Sequence, residues 1–154
     1  MWKILRKKTI QITQPPNSME FNRISTNEEN AIRDALHAYG IDEQTVKMWI
    51  AVSAFETSSW TSKVFKASNN LFCLIVPGSN KLPYGEGQTI YPDLDSAAKA
   101  LYKSVLKPFA YPLSFTSISD LVSTMKSKGY FTGNQDTYLA GVKEKYLQLF
   151  NVAL

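Results

Sequence analysis

Helical spacing dominates this chain. Apolar residues recur at steps of three and four, the period that lays side chains along one face of an α-helix. Ile32, Ala35, Leu36 and Tyr39 form the first stripe, behind Thr26 and Glu29 at capping-box spacing and ahead of a stop at Gly40. Asp42 is placed to cap a second helix, with Val46, Trp49, Ile50, Ser53 and Ala54 as its buried stripe. Ser62 to Ala67 predicts a short third helix. Ala98, Leu101, Tyr102 and Val105 mark a fourth, which Asp93 and Asp95 are placed to cap and Pro108 stops. A fifth carries Ile118, Leu121, Val122 and Met125 and ends at Gly129. The sixth carries Leu139, Val142, Tyr146, Leu149 and Phe150.

Between the third and fourth helices the pattern changes. In "NNLFCLIVPGSNKLPYGEGQTIYPDLDS", apolar, β-prone runs flank Pro, Gly and Asn, the pattern of a small hairpin with a long loop. The expected fold is mainly α, of the α+β lysozyme-like kind, with about six helices and a small β-hairpin lobe inserted after the third. A chain of 154 residues fits one domain and can bury a real core. Its 44% hydrophobic and 19% charged content is that of a globular chain. Residues 1–25 read as an extended N-terminal arm, since Pro15-Pro16 blocks helix and "KTIQIT" alternates. Residues 26–154 form the domain.

Composition narrows the function. With one cysteine, Cys73, there is no intrachain disulfide, and with one histidine, His37, the ligands of a zinc site are lacking. No metal or cofactor is expected. Cys73 lies in the apolar run "LFCLIV" and reads as a small core residue, whereas His37 falls off its helix stripe and reads as a surface residue. The net charge of +4 keeps the protein soluble and would also favour an anionic partner. Nucleic acid is not the expected partner, because the basic residues of "KILRKK" are confined to the arm. The N-terminus lacks the apolar centre of a secretory signal, and no window approaches a membrane span. The expectation is a soluble product that reaches any extracellular target by another route.

One acidic residue is out of place. Glu56 follows Trp49 by seven residues, which returns it almost beneath Trp49 on the side leading to the core. It also stands at the C-terminal end of the second helix, where the helix dipole disfavours a further negative charge. Apolar neighbours such as Phe55 and Trp60 disfavour it by desolvation. Both effects raise its pKa, and a carboxyl kept protonated near neutral pH is what a glycosidase needs to protonate a leaving oxygen.

The surrounding residues carry a resemblance. "AFETSSWTSKVFKASNNLF" resembles the signature of peptidoglycan glucosaminidases of the lysozyme superfamily, the flagellar muramidase and autolysin-like domains. Glu56-Thr57 matches their Glu-(Ser/Thr), Trp60 the following aromatic, Ser62 to Phe65 the short helix, and Asn69-Asn70-Leu71-Phe72 the Asn-Asn motif. "IYPDLDSAAKALYKSV" is similar to the opening of the helix after their hairpin. "KGYFTGNQDTYLAGV" is similar to their Gly-Tyr-x-Thr…Tyr close, through Gly129, Tyr130, Thr132, Tyr138 and Val142. The likeness spans roughly residues 42 to 150. It departs at Ser58 and Cys73, where the family has Gly, at Ile75, where it has a basic residue, and at Gly141, where it has Lys.

The resemblance implies an enzyme that cleaves a β-1,4 bond between amino sugars of peptidoglycan, with Glu56 as general acid. Glu86, on the glycine-flanked loop "LPYGEGQT", is the candidate second carboxylate and lid residue. The substrate's own acetamido group is an alternative to it. Tyr130 matches a cleft tyrosine near the acid. Trp60, Tyr84 and Tyr91 are candidates for stacking on sugar rings, and Phe72 and Tyr138 complete the expected binding set. Asn69 and Asn70 are expected to hold the loop beneath the cleft. The implied partners are glycan strands, and other virion proteins through the arm if the chain is a phage lysis protein or virion-associated lysin. The competing expectation is a lysozyme-like module that binds glycan or builds a virion without turnover, and Cys73 and Ile75 speak for it.

Overall fold

The computed structural model describes residues 23–152 and 154, so the expected arm lies, up to residue 22, outside the described residues. Six α-helices follow in order: α1 (Asn27–Ala38), α2 (Glu43–Glu56), α3 (Lys63–Ser68), α4 (Leu94–Leu101), α5 (Ile118–Ser127) and α6 (Gln135–Phe150). Each begins at a polar cap. Thr26, Asp42, Ser62, Asp93, Ser117 and Asn134 all accept a hydrogen bond from the backbone N–H three residues on. A cap of this kind stabilises a helix by about 1 kcal/mol, so the breaks between helices are set locally.

The capping box at α1 is only half formed. Thr26 accepts from the Glu29 amide, but the buried Glu29 carboxylate turns to Arg23, which grips it at 2.7 and 2.9 Å. Arg23 also donates to the Leu149 carbonyl at 3.3 Å, tying the start of the domain to the end of α6. A buried carboxylate requires such a partner.

α2 is the central helix. It packs against α1 and α6, while α1 packs on α4 and α5 on α6. A single stripe was the sequence expectation for α2. Instead Met48, Ala51 and Val52 are buried along with Val46, Trp49, Ile50, Ser53 and Ala54, so the helix is enclosed on every side. Enclosure brings its last residue, Glu56, out of the core at a wall of the molecule rather than at a free end.

The expected β-hairpin is not formed among the described residues. Residues 72–91 make a looped lobe with a single antiparallel bridge, Lys81 with Thr89. Pro77 and Pro83 supply no backbone N–H, and Gly78, Gly85 and Gly87 take positive φ, so no ladder can propagate. The Leu82 amide to the Gln88 carbonyl and the Ile90 amide to the Asn80 carbonyl make that bridge, and the Thr89 amide to the Leu74 carbonyl ties it to the start of the lobe.

α4 does not stop at Leu101. It runs on as a π-helical segment, Tyr102–Leu106, in which the Lys107 amide bonds the Tyr102 carbonyl five residues back. Tyr102 stacks on Tyr39 of α1 with ring centroids 3.9 Å apart. The wider turn buries Leu106 and leaves Ser104 and Val105 on an open cleft.

Candidate active site

Glu56 is the last residue of α2, and the chain behind it is tightly fastened. Ser58, Ser59 and Trp60 take left-handed φ of 52°, 56° and 61° in succession. Such a turn of non-glycine residues costs about 1–2 kcal/mol per residue, and a set of hydrogen bonds offsets it. Thr57 donates its hydroxyl to the Ser53 carbonyl and accepts from the Trp60 amide. The Trp60 indole N–H donates to Ser53 Oγ, which donates in turn to the Leu71 carbonyl.

The Glu56 carboxyl faces a cleft of about 810 Å³. Glu86 from the looped lobe lines the same cleft, as do Tyr130 and Cys73. Burial raises the pKa of Glu56, and the charge on Glu86 raises it further. One contact acts the other way: the Tyr138 hydroxyl donates to Glu56 Oε1 in a short hydrogen bond. Tyr138 is itself locked, stacked on Phe131 at 3.9 Å and edge-on to Phe55 at 4.8 Å. The phenol proton is far too tightly held to leave, so Tyr138 is a fixed donor.

Of the residues singled out from the sequence, Glu56, Glu86, Phe72 and Tyr130 come together at the cleft. Tyr138 stands directly behind the acid. Tyr130 donates to the Phe72 carbonyl at 3.0 Å, and the Phe72 ring is buried edge-on against Trp49. Trp60, Asn69, Asn70, Tyr84 and Tyr91 do not line the cleft. Trp60 is buried beneath the turn that follows Glu56. Asn69 closes α3 in a left-handed conformation and donates to the Tyr91 carbonyl. The buried Asn70 donates to the carbonyls of Leu74 and Thr89 and accepts from the amide of Leu74. Those two asparagines therefore hold the lobe beneath the cleft. Tyr84 sits 50% exposed at the loop tip.

Cys73 differs from its expectation. It is half-buried in the cleft wall with φ 52°, and its thiol donates to the Glu56 carbonyl at 3.3 Å. Burial, with the charges of Glu56 and Glu86 added, pushes the thiol up to about 12. His37 is exposed and bonded to Glu43 and the Ile41 carbonyl, as a surface residue.

Several cleft residues gave no signal in sequence. Ser104 and Val105 arrive through the π-helical segment, and Phe109 and Tyr111 through the turn after it. Lys128 lies off the α5 stripe, and only its place two residues before Tyr130 pointed toward the cleft. Among the described residues, no group of three or more His, Cys, Asp or Glu is gathered as metal ligands. No helix among them is long and apolar enough to cross a membrane. No protein-family model, no curated protein and no solved structure matches the chain.

Proposed function

We propose that the cleft cleaves a β-1,4 glycosidic bond between amino sugars of peptidoglycan, with Glu56 as general acid. The observation that carries this reading is a half-buried carboxyl, raised in pKa, facing an open cleft that also holds a second carboxylate. The protonated Glu56 gives its proton to the glycosidic oxygen as the C1–O bond breaks. Glu86 is the group to activate water or to stabilise the positive charge developing at C1, unless the substrate's acetamido group does so. Tyr130 and Tyr138 hold the floor and the acid in place. The resemblance to peptidoglycan glucosaminidases gains support from two backbone angles. Ser58 and Cys73 stand where that family has Gly, and both take φ of 52°, the left-handed region glycine favours.

A second reading, a glycan-binding module without turnover, is favoured by Ile75. It is 48% exposed and lines the cleft where the family carries a basic residue.

Purified peptidoglycan digested with wild type and with Glu56→Gln, followed by analysis of new reducing ends, decides between them. General-acid catalysis contributes about 10²–10⁴-fold, so the variant should lose that much turnover. Equal turnover by both proteins removes Glu56 from the role. Binding without turnover by wild type selects the module.

A further inference from the structure

We propose that the Lys128 region of the cleft is an anion subsite that takes a carboxylate carried by the glycan, such as the lactyl ether of a muramic acid residue. This rests on the glycan reading above.

Among the described residues that line the cleft, Lys128 is the only base. No carboxylate among the described residues pairs with it within 4.0 Å. Its position is nonetheless fixed. The ammonium donates to the Phe109 carbonyl at 2.8 Å and lies 5.5 Å from the centre of the Tyr111 ring. Both of those residues also line the cleft. A lysine has three N–H donors, so the Phe109 carbonyl leaves two of them for a ligand.

The surroundings suit an anion. Two hydroxyl side chains, Ser104 from the π-helical segment and Thr132 from the turn before α6, line the same cleft. Apolar Val105, Phe109 and Phe131 line the cleft as well. An uncharged glycan would leave this ammonium unmatched. A strand bearing a free carboxylate on alternate sugars, as peptidoglycan does where the stem peptide has been hydrolysed from the lactyl group, would match it and fix which sugar sits across the acids. The inference makes Lys128 a specificity residue.

N-acetylmuramic acid and N-acetylglucosamine differ by the lactyl ether alone, which makes them the probes. Each is titrated into wild type, Lys128→Met and Lys128→Arg, following backbone amide shifts by NMR. Wild type should bind the muramic sugar roughly two- to fivefold more tightly, the worth of one charge pair at a solvent-accessible site. Lys128→Met should bind both sugars alike, and Lys128→Arg should keep the preference. Equal binding by wild type, or a preference that survives in Lys128→Met, overturns the subsite and leaves the glycan reading standing. D-lactate titrated alone separates the two ideas when neither sugar binds. A lactate response at Gly129 that disappears in Lys128→Met keeps the anion subsite and removes the glycan reading; no response to lactate either removes both.

Discussion

The Tyr138 hydroxyl donates to Glu56 Oε1 across 82 residues of sequence, joining the end of α2 to the first turns of α6. The contact favours the ionised carboxyl and so opposes the burial that disfavours it. Removing it in Tyr138→Phe raises the Glu56 pKa further. A general acid works while protonated, so the alkaline limb of the pH–rate profile should move to higher pH. Stability should fall by about 1 kcal/mol for the lost bond. A limb that stays in place, or moves to lower pH, would show that Glu56 is not the group titrating in the profile.

Glu56→Gln tests the same burial through stability. The folded-state pKa of Glu56 lies above the ordinary carboxyl value of 4.5. The folded state therefore holds this proton to higher pH than the unfolded chain does. Stability from this group is fully present below the unfolded pKa and is lost as pH rises through the folded one. The glutamine never ionises and still offers an oxygen to Tyr138. At neutral pH the variant should be more stable by on the order of 1 kcal/mol, the scale set by about 1.4 kcal/mol per pKa unit. Denaturant melts across pH should show that gain shrinking as pH falls through the raised folded-state pKa toward 4.5, and absent below it. A variant less stable than wild type at pH 7 would contradict the burial.

Gly141 makes room for this arrangement. A Cβ there would stand 2.1 Å from Phe55 Cε2 and under 3.0 Å from two more atoms of the ring. Glycine inside a helix is normally worth about 1 kcal/mol less than alanine. Here the clash wins, because Phe55 packs edge-on against Tyr138 and has nowhere to turn. Gly141→Ala should lose about 2 kcal/mol net and shift the Tyr138 ring resonances. The lysine that the resembling family carries at this position would be worse still. An alanine variant with an unchanged or higher melting temperature would show that Phe55 yields freely.

How much of this was legible in the sequence depends on distance along the chain. The six helices were, because each has its own cap and its own stop, and both are local chemistry. The raised Glu56 was also legible, since a seven-residue step from Trp49 is enough to place it on the core side. The hairpin was misread. Its apolar runs have β propensity, but two prolines and three left-handed glycines leave only one bridge. Tyr138 was taken for a sugar contact because nothing local shows that α6 crosses α2 at Glu56. Lys128 escaped notice for a similar reason: its partners, Phe109 and Tyr111, are placed by a π-helical segment no periodicity announces.

Asn70 does for the looped lobe what a ladder would otherwise do. Its side chain serves the Leu74 and Thr89 carbonyls at 2.8 and 2.9 Å and the Leu74 amide at 2.9 Å, all buried. Asn70→Ala strands those groups, at about 1–3 kcal/mol for a buried polar group left unpaired. The expected loss is about 3 kcal/mol, accompanied by faster hydrogen exchange at Leu74. Unchanged exchange at that amide would mean that the lobe holds itself without the asparagine.

Cys73 lies beside the acid, and its chemistry follows from the same field. A thiol pushed up from 9.0 to about 12 holds about 1,000-fold less thiolate at neutral pH. The thiolate that does form is more nucleophilic, which returns about 20-fold at a Brønsted slope of 0.4–0.5. Iodoacetamide should therefore modify Cys73 more slowly than a free thiol at pH 7.5, by a factor on the order of 10–10². Glu56 and Glu86 both contribute to this, after burial. At a pH above the raised Glu56 pKa, where that carboxyl is ionised, Glu56→Gln removes one of the two charges, so there the variant should react faster than wild type. Cys73 reacting at the rate of a free thiol, with no change in Glu56→Gln, would place neither carboxylate near it and would break the geometry on which the acid assignment stands.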